Sequence, residues 1–299
     1  MSGPEESIRE RITAQFSYLS DRADIWRGLD LLLETDAYLN LGYSRWYQTH
    51  LLGAPQRRLT EHVGRRLAEH GLGAGPGATP RPILDIGAGR GGPAVTLAER
   101  FDGGVLGVDL VRYNARQTRV VAREQGVGTR IEALVGDATE LPVASGIIAG
   151  AVAIDAFVYL PDRSAAMTEL SRVLAPTGVA VVSDLVTDEA APGAAKIPAF
   201  ADAWDLEPPG TVDEYTQLAA DAGLELVTIE DLTAHSVGRF RGWAGLYLRL
   251  IKSPVGTLLE RWLTAQGLDP TAITTQIRCA HAALPALEHR LFVLRRPGS

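Results

Sequence analysis

The chain has a single cysteine, Cys279, among 299 residues, so no intrachain disulfide can form and no thiolate-rich zinc site can be built. It also lacks a positive balance. Its 29 Lys and Arg against 36 Asp and Glu leave a formal charge of −7, which offers no general attraction for nucleic acid or an anionic membrane. Short basic pairs such as Arg57/Arg58 and Arg65/Arg66 are interleaved with Glu61 and Glu69, the pattern of a solvated helix face. Long apolar runs are missing as well. The most apolar window, 146–160, is broken by Asp155 and is shorter than the ~18 residues a membrane span needs, and the charged first residues do not resemble a secretory leader. A cytoplasmic protein is expected. What remains, 46% hydrophobic and 22% charged residues, describes a globular chain with one large domain or a core plus an accessory subdomain.

Ile8, Ile12, Phe16 and Leu19 recur at spacings of four and three, and a second amphipathic run follows from Ala23 through Leu33, so residues 5–70 read as helical. Residues 71–82, GLGAGPGATPRP, hold four glycines and three prolines and read as a loop. Residues 1–79 are thus expected to form an N-terminal helical lid and linker. Beyond them the pattern becomes strand, turn, helix, repeated: ILDIG, a helix at Pro93–Arg100, VLGVDL, a helix at Asn114–Gln125, IEALVGD, IIAGAVAIDAF, a helix at Ser164–Leu174, and GVAVVSDL. Continuously apolar strands alternating with helices predict an α/β fold, a doubly wound parallel sheet covered on both faces. The rhythm breaks at 186–210, resumes with a helix at Asp213–Ala222 and the strand GLELVTIEDL, and breaks again over 233–287 before HRLFVLRRP closes the chain. A core at 80–185, continued by 211–232 and 288–299, is expected to carry those two insertions as a cap.

DIGAGRGG at 85–92 sits where a strand turns into a helix, a place where side-chain-free backbone and helix N–H groups let a ligand come close. Its spacing fits two ligands. Gly87, Gly89 and Gly92 match the dinucleotide pattern, while Gly87, Gly89 and Gly91 match the loop used for S-adenosylmethionine (SAM). Charge separates them: Asp85 would repel a diphosphate, whereas SAM presents an ammonium and a sulfonium. Asp109, about 20 residues on, stands where a carboxylate accepts from both ribose hydroxyls, which suits either ligand. Asp137, in GDA at 136–138, can accept the adenine amine while the Ala138 amide donates to the ring, and a nicotinamide fold has no reason for an acid there.

Together LDIGAGRGG, VDL, GDA, AIDAFVYL and RVLAPTGVAVVSD resemble the motifs of class I SAM-dependent methyltransferases, strongly over 80–185 and more weakly over 211–230 and 288–296. The resemblance implies a seven-stranded, Rossmann-like sheet whose last strand is antiparallel. It implies SAM as cofactor and S-adenosylhomocysteine as product, held by Asp85, Gly87, Gly89, Gly91, Asp109, Leu110, Asp137, Ala138 and Ile154. Within the family the chain is most similar to the small-molecule branch acting on quinones, tocopherols, sterols and natural products. LNLGYSRWY at 39–47 resembles that branch's Gly-Tyr-Trp segment, with Ser44 and Arg45 interposed, and implies that Tyr43 reaches the methionine end of SAM.

All five tryptophans fall outside 81–185, so aromatics gather in the segments expected to cover the site, consistent with a water-poor pocket for an apolar acceptor. Methyl transfer chiefly needs alignment and exclusion of water, but an oxygen acceptor must also lose a proton. Of the six histidines, His235 follows the sixth strand into the cap and is the expected base; Asp155 and Tyr159 could orient acceptor or methyl group, and Asp155 could instead be a structural acid on the cofactor side. The scattered histidines predict no metal site. The expected reaction is methylation of an O or N atom of a small specialised metabolite. Carbon methylation of a prenyl or aromatic substrate, a nicotinamide oxidoreductase and an inactive SAM-binding regulator remain alternatives. No nucleic-acid or membrane partner is expected, and the N-terminal helices are compatible with a homodimer.

Overall fold

The computed structural model describes residues 4–17, 25, 27, 28, 37–48, 54–71 and 81–298. Its strands are β1 Ile83–Ile86, β2 Val105–Asp109, β3 Ile131–Val135, β4 Ile148–Ile154, β5 Leu174–Thr187, β6 Glu225–Asp231 and β7 Leu287–Arg295. They form one seven-stranded sheet in the order β3-β2-β1-β4-β5-β7-β6. Adjoining strands among β1 to β5 are parallel, and β7 runs antiparallel to both β5 and β6. The doubly wound α/β class and the antiparallel last strand are as expected. Strand order reverses between β1 and β4, so the crevice where such sheets bind ligands opens at the carboxyl ends of these strands.

Helices cover both faces, which is why the central strands β1 and β4 are apolar and buried almost throughout, whereas the edge strands β3 and β6 expose Glu132 and Glu225. On one face α5 (Arg163–Val173) and α7 (Val212–Asp221) bring Met167, Leu170 and Tyr215 against Ile148, Phe157 and Phe292. On the other, α2 (Pro55–His70) and α3 (Gly92–Arg100) bring Leu59, Val63 and Leu97 against Val152 and Val181. Each fully buried leucine contributes roughly 1.5–3 kcal/mol relative to an exposed one. The helix α4 (Arg112–Glu124) flanks β2 and β3, and α1 (Pro4–Phe16) lies across the crevice, where Ile12 and Phe16 pack on Val111.

The insertions are helical and carry a core of their own. Helices α6 (Ile197–Trp204), α8 (Val237–Leu250), α9 (Pro254–Ala265) and α10 (Pro270–Ala283) gather Phe200, Trp204, Val237, Leu263 and Ile277, and rest on Leu185 of β5 and Leu287 of β7. No described helix is long and apolar enough to cross a membrane.

Two expectations change. Residues 5–70 are not helical throughout: between α1 and α2 the segment 38–45 is irregular, with Gly42 at φ +77° and packed against Pro55. The fourth strand ends at Ile154 instead of continuing to Phe157, because Asp155 takes the left-handed conformation at φ +53° and Phe157–Tyr159 form a 3-10 turn. Most of the run at 23–33, Leu19, Trp26, His50 and most of the 71–82 loop lie outside the described residues.

Candidate active site

A cleft of about 970 Å3, open solvent included, lies at the carboxyl ends of β1, β2 and β4. Its floor is the glycine loop. Gly87 and Gly89 take φ +70° and +55°, which only glycine adopts without strain, and a Cβ on Gly87 would stand 2.6 Å from that of Ala156. The loop is clamped by the next strand: the Gly87 amide donates to the Val108 carbonyl at 2.8 Å, and the Gly89 amide donates to Asp109 Oδ2 at 2.8 Å. Asp109 Oδ1 accepts from the Val111 amide at 2.8 Å and from Asn114 Nδ2 at 3.2 Å. Burial outweighs these donors and pushes Asp109 up to about 6.

Of the residues expected to hold the cofactor, Gly87, Gly89, Asp109, Leu110, Asp137, Ala138 and Ile154 line this cleft. Asp137 sits at the far end, where Oδ1 accepts from the Thr139 amide at 2.8 Å and Oδ2 meets Arg9 of α1 at 2.7 Å. Gly91, Asp85 and Tyr43 do not line it. Gly91 caps α3 at φ +93°, where a Cβ would lie 2.7 Å from Thr118 Cα, so its requirement is packing. Asp85 is buried, with Oδ2 lacking a hydrogen-bond partner, and burial followed by the charge of Asp109 pushes it up to about 8. Tyr43 turns away from the cleft and stacks on His62 at 4.9 Å; its neighbours Leu39 and Asn40 are the ones that reach the lining.

A second cavity, about 990 Å3 with open solvent, lies beneath the cap and is walled by Phe200, Trp204, Phe240, Trp243 and Ala280. The two cavities share Leu39, Asn40, Asp155 and Tyr159. Asp155 and Tyr159 therefore stand together at the boundary. Burial, then the charges of Asp155, Asp184 and Asp205, push the Tyr159 hydroxyl up, so it stays a donor. His235 lines neither cavity. Its amide environment explains why: its carbonyl accepts from the Ser44 amide at 2.9 Å, its Nδ1 is 3.2 Å from the Ser44 carbonyl, and its ring lies 5.0 Å from Tyr43, so it clips the 37–48 segment to the cap. The buried histidine beside the boundary is instead His289 of β7, with Nε2 2.9 Å from Asp155 Oδ1. Nothing in the sequence marks the pair, because its members are 134 positions apart and His289 reads as part of a closing strand.

The methyltransferase-domain family matches residues 83–178, the stretch from β1 into β5 that builds the cleft. Residues 83–178 thus match a methyltransferase domain, and the relatives named as methyltransferases support a class I SAM-dependent methyltransferase. The chain is 27% identical over 200 residues to the O-methyltransferase cnsE of Penicillium expansum, covering 65% of the chain and 68% of the relative. It is 30% identical over 180 residues to the methyltransferase GfsG of Streptomyces halstedii, covering 59% and 61%. Solved structures that share its fold include the [4+2]-cyclase SpnF, with TM-score 0.69, 19% identity and coverage of 92% and 94%, and geranyl diphosphate C-methyltransferase from Streptomyces coelicolor A3(2), with TM-score 0.63, 20% identity and coverage of 92% and 98%.

The methyltransferase's own residues fit SAM. Asp109, raised only to about 6, lines the cleft as a carboxylate that opposes a diphosphate and favours a cationic ligand, while Asp85 beneath it holds its proton up to about pH 8 and leaves Oδ2 without a hydrogen-bond partner. Gly87 and Gly89 keep the approach open, and Asp109, Asp137 and Ala138, the residues expected to meet ribose and adenine, line the same cleft. When bound, SAM supplies an activated methyl group. Among the described residues no group of His, Cys, Asp and Glu could hold a metal ion.

Proposed function

We propose that the chain methylates an oxygen or nitrogen atom of an apolar small molecule, with SAM in the first cavity and the acceptor in the second. The shared boundary carries this reading, because in-line displacement requires the two reactants to meet at one wall and to meet there without water. Among the described residues the chamber beneath the cap is lined mainly by aromatic and aliphatic side chains, with Asn40, Gln56 and Asp155 but no Lys or Arg, which suits an uncharged, flat or hydrophobic acceptor better than a phosphorylated one. At the boundary Asp155 is the group to receive the proton of an oxygen acceptor, with the Tyr159 hydroxyl beside it to donate and orient. The name of the relative cnsE, an O-methyltransferase, supports oxygen as the target.

A second reading, methylation at carbon, draws on Trp204 and Trp243, whose faces could steady a positive charge next to the methyl donor. Product mass and NMR after incubation with SAM and a panel of apolar phenols, alcohols and amines decide between them. A new methyl on oxygen or nitrogen is expected. A methyl on carbon overturns the heteroatom reading, and tight binding of a nicotinamide cofactor with no affinity for SAM overturns the cofactor assignment.

A further inference from the structure

We infer that His289 is a positioning residue for methyl transfer, gripping Asp155 through Nε2 while Ser236 braces the other side of the ring. This rests on the reading of Asp155 as the proton acceptor. Asp155 follows β4 in a left-handed conformation, φ +53°, and its amide donates to the Ser183 carbonyl at 2.8 Å. Its carboxylate is then held from two distant parts of the chain. Oδ2 accepts from the Leu41 amide at 2.7 Å, and Oδ1 faces His289 Nε2 at 2.9 Å. His289 is itself buried, its Nδ1 lies 2.7 Å from Ser236 Oγ, and its amide donates to Thr233 Oγ1 at 3.1 Å.

Hydrogen-bond polarity dictates what this arrangement can do. A carboxylate only accepts, so Nε2 must carry the proton between His289 and Asp155. Nδ1 can then accept the Ser236 hydroxyl proton, or can carry a second proton and donate to Ser236 Oγ, whose own proton turns to the Leu232 carbonyl 3.0 Å away. A hydroxyl at 236 serves both states. A histidine buried only for packing would have no need of a partner on the cavity wall, yet Asp155 lines both cavities. In the transfer step the acceptor oxygen forms the new bond to the methyl carbon, the carbon–sulfur electron pair stays on sulfur, and the acceptor's proton passes to Asp155. Each carboxylate oxygen accepts one bond from the protein and keeps a lone pair for it. Fixed from both sides, Asp155 cannot rotate away from the boundary.

The test compares His289→Leu, which removes the donor, with His289→Gln, whose amide nitrogen can reach the same carboxylate, and reads the pairing separately by NMR on 15N-labelled protein. The His289 Nε2–H proton should be protected from exchange and should move in Asp155→Asn. With an acceptor found by the product screen, His289→Leu should lower kcat about tenfold or more with little change in KM or in SAM affinity, and His289→Gln should recover much of the loss. A Nε2 without a proton, a His289→Leu enzyme with unchanged kcat, or equal losses in both variants that follow the melting temperature overturn the inference. Failure of the heteroatom reading looks different: the product carries its methyl on carbon while the NMR pairing persists.

Discussion

Arg9 on the first helix meets Asp137, just beyond the third strand, at 2.7 Å, so α1 is tied to the part of the cleft that Asp137 lines. The pair is half exposed, with side-chain exposures of 48% and 21%, and such pairs contribute roughly 0–1 kcal/mol to stability. Its importance is therefore expected in exchange of the cofactor rather than in folding. Arg9→Ala should leave the melting temperature nearly unchanged and speed SAM dissociation several-fold, measured by stopped-flow fluorescence. An unchanged dissociation rate would separate α1 from cofactor retention.

Asp85 predicts a pH dependence of stability. Its folded value of about 8 lies above the ~3.9 of an unfolded aspartate, so the native state holds the proton more tightly. The stabilisation is complete below about pH 4 and is lost as pH rises through about 8. Wild-type melting temperature should accordingly fall between about pH 5 and 9, and Asp85→Asn should flatten the curve. Parallel curves for the two proteins would show that Asp85 is not the group responsible.

Gly87 tests the floor of the cleft. Alanine there would have to accept φ +70° and a 2.6 Å approach to the Ala156 Cβ, a strain of roughly 1–3 kcal/mol. Calorimetry should show Gly87→Ala folded, with SAM affinity severely reduced. Wild-type affinity would mean that the loop can re-form without its glycine.

The chamber beneath the cap can be probed independently of the cofactor. Ala280 lines the chamber but not the cofactor cleft, and phenylalanine in its place should fill space meant for the acceptor, at a packing cost of about 1–3 kcal/mol. SAM binding by Ala280→Phe should match wild type while turnover of bulky acceptors drops at least tenfold. Equal turnover would move the acceptor elsewhere.

Features set by local chemistry were legible from the residues alone. Short apolar strands, the DIGAGRGG turn, and the acids at 109 and 137 declare the sheet and the cofactor side because each signal lies within a few positions. The acceptor side was not, because it is assembled from remote pieces. His289 meets Asp155 only after β7 inserts between β5 and β6, and nothing near either residue in sequence announces that pairing. His235 and Tyr43 stand beside expected motifs in the sequence; in the fold Tyr43 stacks on His62 and meets the tilted His235 ring, a support for the 37–48 segment. Asp155 was found, but its left-handed backbone, which ends the strand and aims the side chain, depends on tertiary contacts.

Besides Arg9, α1 carries Arg11, which pairs with Asp205 of the cap at 3.5 Å, and Gln15, whose amide donates to the Trp204 carbonyl at 3.4 Å. One helix is thus latched to the glycine-loop cleft at one end and to the cap at the other. Lifting it for either reactant loosens both, so spent donor and methylated product would share a single exit event.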